Sequence, residues 1–174
     1  MATPRIHRYG DVCLRRQAQE VSVGAPQTRA LLDTLWGILA ADGGVGLAAP
    51  QIGKAERVVV IRDPSRPETE QRVDLVNPVI IRTFGPTESF EEGCLSFPGL
   101  YTMVMRPRGV ELEYWSPHES SQRLRLRVDT VLARIIQHEF DHLDGVLFFE
   151  RMTEAERMRI RPDLESLEEQ YRPL

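Results

Sequence analysis

The sequence predicts an α+β fold: antiparallel β-sheets packed around a central helix that carries His138, Glu139 and His142, with a further helix at the C-terminal end. Three observations predict it. Apolar residues recur at helical spacing in two stretches, 31–39 and 132–143. Between those stretches lie four β-branched or alternating runs separated by polar turns. No repeat, low-complexity tract or linker interrupts the 174 residues, so 1–174 reads as one domain.

Taken in order, residues 4–20 read as an extended arm followed by a short helix capped by Asp11, with Cys13 as a small buried hydrophobe between Val12 and Leu14. Pro26 opens a core helix whose apolar face is Leu31, Leu32, Leu35, Trp36, Ile38 and Leu39, and Asp42-Gly43-Gly44 ends it. Small residues from Gly44 to Gly53 form a loop where backbone can approach a ligand closely; its glycines are wrongly spaced for a phosphate or dinucleotide loop. Arg57–Ile61 and Val73–Ile81 are strands, and Pro78 marks an edge or bulge in the second. An acidic stretch, 86–93, leads to Cys94. Val110–Trp115 and Leu124–Val128 alternate as a half-exposed antiparallel pair around a polar turn that holds His118. Asp129 or Thr130 caps the next helix, whose apolar positions are Leu132, Ile135, Ile136, Phe140 and Leu143. Val146–Phe149 reads as a short strand. Thr153 and Glu156 form a capping box for a polar terminal helix that Pro162 restarts or kinks.

Composition narrows the function. Apolar residues at 41% and charged residues at 28% suit a soluble globular protein, and no apolar run is long enough to span a membrane. A net charge of −4 without a basic stripe argues against nucleic acid as the partner. The N-terminal residues lack the apolar segment of a secretory signal, and two cysteines are too few for an export framework. Both point to a reducing cytoplasm.

Chemistry concentrates at Gln137-His-Glu-Phe-Asp-His-Leu-Asp-Gly145. Histidines four apart on a helix share one face and can chelate a divalent metal, and Glu139 can reach a water there as general base without being a ligand. Such a site needs a third protein ligand. A histidine at position 148, as in one class of zinc proteases, is ruled out by Phe148. Glu154, Glu156 or Glu165 could serve, but their helix reads as a solvated face. Cys94 is the third candidate, and a thiolate with two imidazoles suits zinc or ferrous iron.

Three stretches in this order, Gly44-Val-Gly-Leu-Ala-Ala-Pro-Gln51, Glu92-Gly-Cys-Leu-Ser96 and Gln137-His-Glu-Phe-Asp-His142, resemble the signature motifs of peptide deformylases. The likeness covers nearly the whole chain, including the N-terminal arm and Arg106. It departs at Cys13, where the family often has proline, and at Asp129-Thr130, where a glycine is common. Neither is a proposed site residue. The resemblance implies hydrolytic removal of the formyl group from N-formylmethionyl nascent peptides, possible only with a divalent ion, usually Fe2+ with Zn2+ or Ni2+ as substitutes, held by Cys94, His138 and His142. Glu139 is then the acid/base, while the Gln51 amide and the Leu95 N–H stabilise charge on the formyl oxygen. Gly46 pairs with the peptide backbone, Val45, Phe90 and Ile135 line the methionine slot, and Tyr101 forms its rim, beside Glu92 and Gly93 of the cysteine loop. Glu92 and Arg106 pair to brace that loop, with Asp141 as an orienting group. The ribosome near its exit tunnel is an expected neighbour. On the same helix face Arg134 should lay its methylene stem along the slot and reach a carboxylate or water, so that leucine there leaves turnover within about tenfold. Competing readings are a small zinc endopeptidase, a Cys94 nucleophile with His138 as base, and a non-catalytic peptide binder with a structural metal.

Overall fold

A computed structural model describes residues 4–117 and 119–171, which leaves the turn residue His118 outside the described part. The N-terminal arm runs into a 3-10 turn at Val12–Arg15, where Asp11 accepts the Cys13 N–H as a side-chain cap. Helix α1 (Pro26–Asp42) starts on proline, whose missing N–H costs nothing in a first turn, and stops at Gly43, whose φ of 74° is left-handed. Strands β1 (Gly46–Ala48), β2 (Val58–Arg62), β3 (Arg72–Cys94), β4 (Phe97–Ser116) and β5 (Glu119–Val128) follow. They form one five-stranded sheet in chain order, antiparallel throughout. Helix α2 (Val131–Leu143) and helix α3 (Glu154–Tyr171) complete the described fold.

The pleat of β2 decides how the layers meet. Val58 and Val60 join the cluster of Leu31, Leu32, Leu35 and Leu39 from α1, whereas Val59 and Ile61 point the other way, onto Ile135, Ile136 and Leu143 of α2. The α2 side also takes Val110 and Leu112 from β4. A third cluster sits at the tip of the β3–β4 hairpin, where Phe97, Leu100 and Val104 meet Leu147, Phe148, Phe149 and, from α3, Leu164 and Leu167.

Several elements differ from the sequence reading. The Gly44–Gly53 loop contains β1 and a 3-10 turn, Ala49–Ile52. The predicted strands at Val73–Ile81 and Val110–Trp115 are the far ends of one long hairpin. Its breakers are absorbed by register shifts: between Val76 and Val79 around Pro78, and between Phe84 and Thr87 around Gly85-Pro86. At the first of these, Asn77 has a φ of 48° and fixes the arm by exchanging hydrogen bonds with both backbone groups of Val21, at 2.9 and 2.8 Å. Val146–Phe149 is no strand. Phe148–Arg151 is a 3-10 turn, in which Phe148 and Phe149 are both buried in the third cluster and Glu150 accepts the Leu147 N–H. Helix α3 continues through Pro162 as one element, and Leu164 and Leu167 bury against the core, so it is not a wholly solvated helix. Its capping box forms as expected, Glu156 accepting from the Thr153 N–H and the Thr153 hydroxyl accepting from the Glu156 N–H.

Candidate active site and metal centre

Cys94 ends β3, and His138 and His142 lie one turn apart on α2. The hairpin tip folds over the helix so that one ligand atom from each residue falls within 4.8 Å of the others. Cys94 Sγ stands 3.3 Å from His142 Nε2. His138 uses its Nδ1 on Glu92 Oε2 at 2.9 Å, which turns its other nitrogen toward the thiol. The glutamates of α3 take no part: Glu154 and Glu165 are exposed on the far helix, and Glu156, half-buried, is held by Thr153 in the capping box. Two imidazoles and a thiol converging in a buried place form a donor set that fits zinc or ferrous iron.

Charge is arranged tightly behind these groups. Arg106 donates to both oxygens of Glu92, Nε to Oε1 at 2.7 Å and Nη2 to Oε2 at 3.0 Å, and its Nη1 reaches Asp141 at 2.8 Å. Burial alone would raise the Glu92 carboxyl, but hydrogen bonds from His138 and Arg106 override it and hold the group at about 2. Burial likewise opposes a charge on His138, yet Cys94 and Glu92 lift it to about 10. Burial, with the positive charges of His138 and Arg106, drives His142 well below its usual value and keeps its ring neutral.

Glu139 is different. It is buried, and among the described residues its Oε2 is one of two buried side-chain polar atoms without a hydrogen-bond partner, the other being His142 Nδ1. Burial pushes its carboxyl up to about 7, with His138 pulling down and Glu92 pushing up. The space for it comes from Gly46: a methyl group on that Cα would stand 2.4 Å from Glu139 Oε1. Gly46→Ala should displace the carboxylate and lower turnover about a hundredfold while the protein stays folded. Normal kinetics from this variant would show that Glu139 need not lie where Gly46 admits it.

Gln51 is locked by its neighbours. Its Oε1 accepts the Ala48 N–H at 2.8 Å, so Nε2 must face Cys94 Sγ, 3.5 Å away, and Ser96 Oγ, 3.2 Å away. Arg8 donates to the Leu95 carbonyl and so fixes the peptide unit after Leu95.

A cleft of about 630 Å³ opens above these groups. Its walls include Val45, Gly46, Gln51, Phe90, Glu92, Gly93, Cys94, Leu95, Tyr101, Ile135, His138 and Glu139, whereas His142, 1% exposed, and the bracing pair Arg106 and Asp141 lie behind it. Phe90 and Tyr101 stand open at the mouth, 54% and 66% exposed, and Ile135 is buried at the base. Sequence reasoning assigned nothing to Ser96, Arg8 or Arg151, whose Nη2 donates to Asp141 Oδ1 at 2.5 Å. Ser96 stood inside a quoted motif, which was a usable signal; Arg8 and Arg151 carried none.

The family model described as polypeptide deformylase matches residues 3–158. A Treponema pallidum protein named peptide deformylase is 41% identical over 149 residues, 85% of this chain and 87% of its own length. The Arabidopsis thaliana protein named peptide deformylase 1B, chloroplastic/mitochondrial, is 36% identical over 167 residues, 96% of this chain; the chain spans 60% of that relative's length. A plant peptide deformylase crystal structure superposes with a TM-score of 0.90 at 36% identity, covering 98% of this chain and 92% of the other. With matches across family, relatives and solved structures that all reach the hairpin and the α2 site, the chain belongs to the polypeptide deformylase family of enzymes.

Proposed function

We propose that this chain, acting as one catalytic domain over residues 1–174, hydrolyses the formamide of N-formylmethionine at the start of newly made cytoplasmic proteins, releasing formate and a free amine. One observation supports this reading above the rest: an unpartnered carboxyl, Glu139, faces the same cleft as the converging Cys94, His138 and His142. Those three residues would hold a divalent ion, ferrous iron by preference and zinc or nickel as substitutes. When bound, the ion supplies Lewis acidity that polarises the formyl carbonyl and acidifies water. Glu139 takes the proton from the attacking water and returns it to the leaving nitrogen. Gln51 Nε2 and the Leu95 N–H donate to the formyl oxygen as it gains charge. Among the described residues strand β1 pairs only with β2 and is a sheet edge, so Gly46 and Val45 can receive an extended peptide strand to strand. Val45, Phe90 and Ile135 bound the methionine side chain, with Tyr101 at the rim. Among the described residues no helix is long and apolar enough to cross a membrane, and the substrate reaches the cleft as an unfolded nascent chain near the ribosome.

Formate release from formyl-Met-Ala-Ser, measured with metal content, tests the reading. Equal cleavage of the acetylated peptide would favour an unspecific amidase instead, and activity that survives a chelator would favour Cys94 as a nucleophile. Cys94→Ser should release zinc to a chelator about a hundredfold faster, because a hydroxyl replaces a thiolate poorly. Unchanged zinc retention in this variant would remove Cys94 from the ligand set.

A further inference from the structure

Arg134 precedes His138 by one helical turn and lies on the face of α2 that meets the hairpin. Its side chain is only 13% exposed. Nη1 donates to Glu92 Oε1 at 2.9 Å and to the Val104 carbonyl at 3.0 Å, and Nη2 donates to the Glu88 carbonyl at 2.7 Å. Glu88 and Glu92 belong to β3 and Val104 to β4, so a single guanidinium ties the helix to both strands. It crosses beneath the rung where Phe90 pairs with Val104, and its central carbon lies 5.4 Å from the Phe90 ring centroid.

The Glu92 carboxylate shows what that tie does. Oε1 accepts from Arg106 Nε and Arg134 Nη1, and Oε2 accepts from Arg106 Nη2 and His138 Nδ1. Four donors from three side chains leave the carboxylate one orientation, and that orientation sets the His138 ring. Arg106 alone grips Glu92 from the β4 side; Arg134 adds the grip from α2, the element that also carries His138. Guanidinium geometry suits the task, since its donors are coplanar and fixed in direction, whereas an ammonium is a point charge.

We propose that Arg134 is a positioning residue, which fixes the Glu92–His138 pair at the ligand site and at the same time holds Phe90 as a rigid wall of the cleft. The guanidinium reaches a carboxylate, as the sequence reading expects, and two backbone carbonyls besides it. The proposal rests on the reading of Cys94, His138 and His142 as an ion site, and two readouts separate the two.

The experiment compares zinc-loaded wild type with Arg134→Met, Arg134→Lys and, as a control for loss of an arginine on the outer sheet face, Arg125→Met, whose native partner is Glu111. Zinc release to a chromophoric chelator reports on His138, and amide hydrogen exchange in residues 86–92 and 102–106 reports on the hairpin. Arg134→Met should release zinc about 10–100-fold faster, the range for changes behind a ligand, and lose protection in the hairpin. Arg134→Lys should retain zinc within a few-fold through its charge on Glu92, yet show the same loss of protection, because its single nitrogen lacks the guanidinium's two separate amino groups, one on the Val104 carbonyl and one on the Glu88 carbonyl. Arg125→Met should change neither. Zinc release within about twofold of wild type in Arg134→Met, or unchanged hairpin exchange in both variants, overturns the proposal. Should Arg134→Met fail to fold, the exchange pattern of Arg134→Lys decides alone. A wild-type protein that holds no zinc would sink the ion-site reading, and the exchange readout would still decide whether Arg134 fixes the hairpin.

Discussion

Glu139→Gln should lower turnover at least a thousandfold and leave the bound metal in place. The amide keeps the volume of the carboxyl against Gly46 but cannot take a proton from water, and positioned general bases contribute about 10²–10⁴-fold. Here the base works in a buried cleft with its Oε2 otherwise unpartnered, so the upper part of that range applies. A second expectation follows from its carboxyl, raised by burial to about 7. A raised carboxyl stabilises the fold fully below the unfolded value of 4.5, and that contribution is lost as pH rises through about 7. In the metal-free protein Glu139→Gln should therefore be no less stable than wild type at pH 8. Metal analysis, single-turnover kinetics and urea melts at pH 6 and 8 check all three points. Loss of metal from the variant would make Glu139 a ligand and end its assignment as the base.

Glu92→Ala should cost the metal-free protein about 3–5 kcal/mol, the usual penalty for leaving a buried partner charge uncompensated. Arg106 is 4% exposed in its side chain and would keep only Asp141, and Arg134 would lose its one carboxylate among the described contacts. The pH dependence has the opposite sign from that of Glu139. A carboxyl held at about 2 against an ordinary 4.5 gives stability that is complete above pH 4.5 and lost as pH falls through 2. The size of that shift corresponds to about 3 kcal/mol. Wild type and Glu92→Gln should thus differ most in urea midpoint near pH 6 and converge toward pH 3. A gap that stays constant over that range would show that Glu92 acts through shape and not through charge.

The sequence made the helices legible because their ends are chemically marked: Pro26 and Gly43 for α1, and the spacing of Leu132, Ile136 and Leu143 for α2. It also pointed to residues that the fold places at one cleft, because Gly46, Cys94 and His138 each stand in a motif whose order could be read. The strands were legible only where both their faces followed a pattern. Between Arg82 and Glu91 the side chains on β3 are exposed at every position but Phe84, so neither alternation nor an apolar run announces the strand. Gly85-Pro86 and Pro98-Gly99 then look like ends, although the first is a bulge and the second lies within β4. Phe148 and Phe149 misled in the other direction. Two adjacent aromatics suggest a strand, but both are drawn into one core by α3, an interaction too distant in sequence to read locally. Partner identity was the least legible of all. The sequence placed a guanidinium near a carboxylate, but only the fold places Arg134 and Arg106 on the same one.

The ligand set joins residues far apart in the chain. Cys94 and His142 are separated by 48 positions, and the intervening segment includes all of β4, β5 and most of α2. An ion gripping both would close that segment into a loop even in an unfolded chain. For a loop of this length, chain-entropy arguments developed for covalent cross-links put the effect at about 4 kcal/mol. A protein with two free cysteines and no disulfide would thereby gain a staple that reducing conditions cannot cut. The ion would then be a folding element as well as a reagent, and a chain made in its absence would have to find the hairpin-on-helix arrangement without that tether.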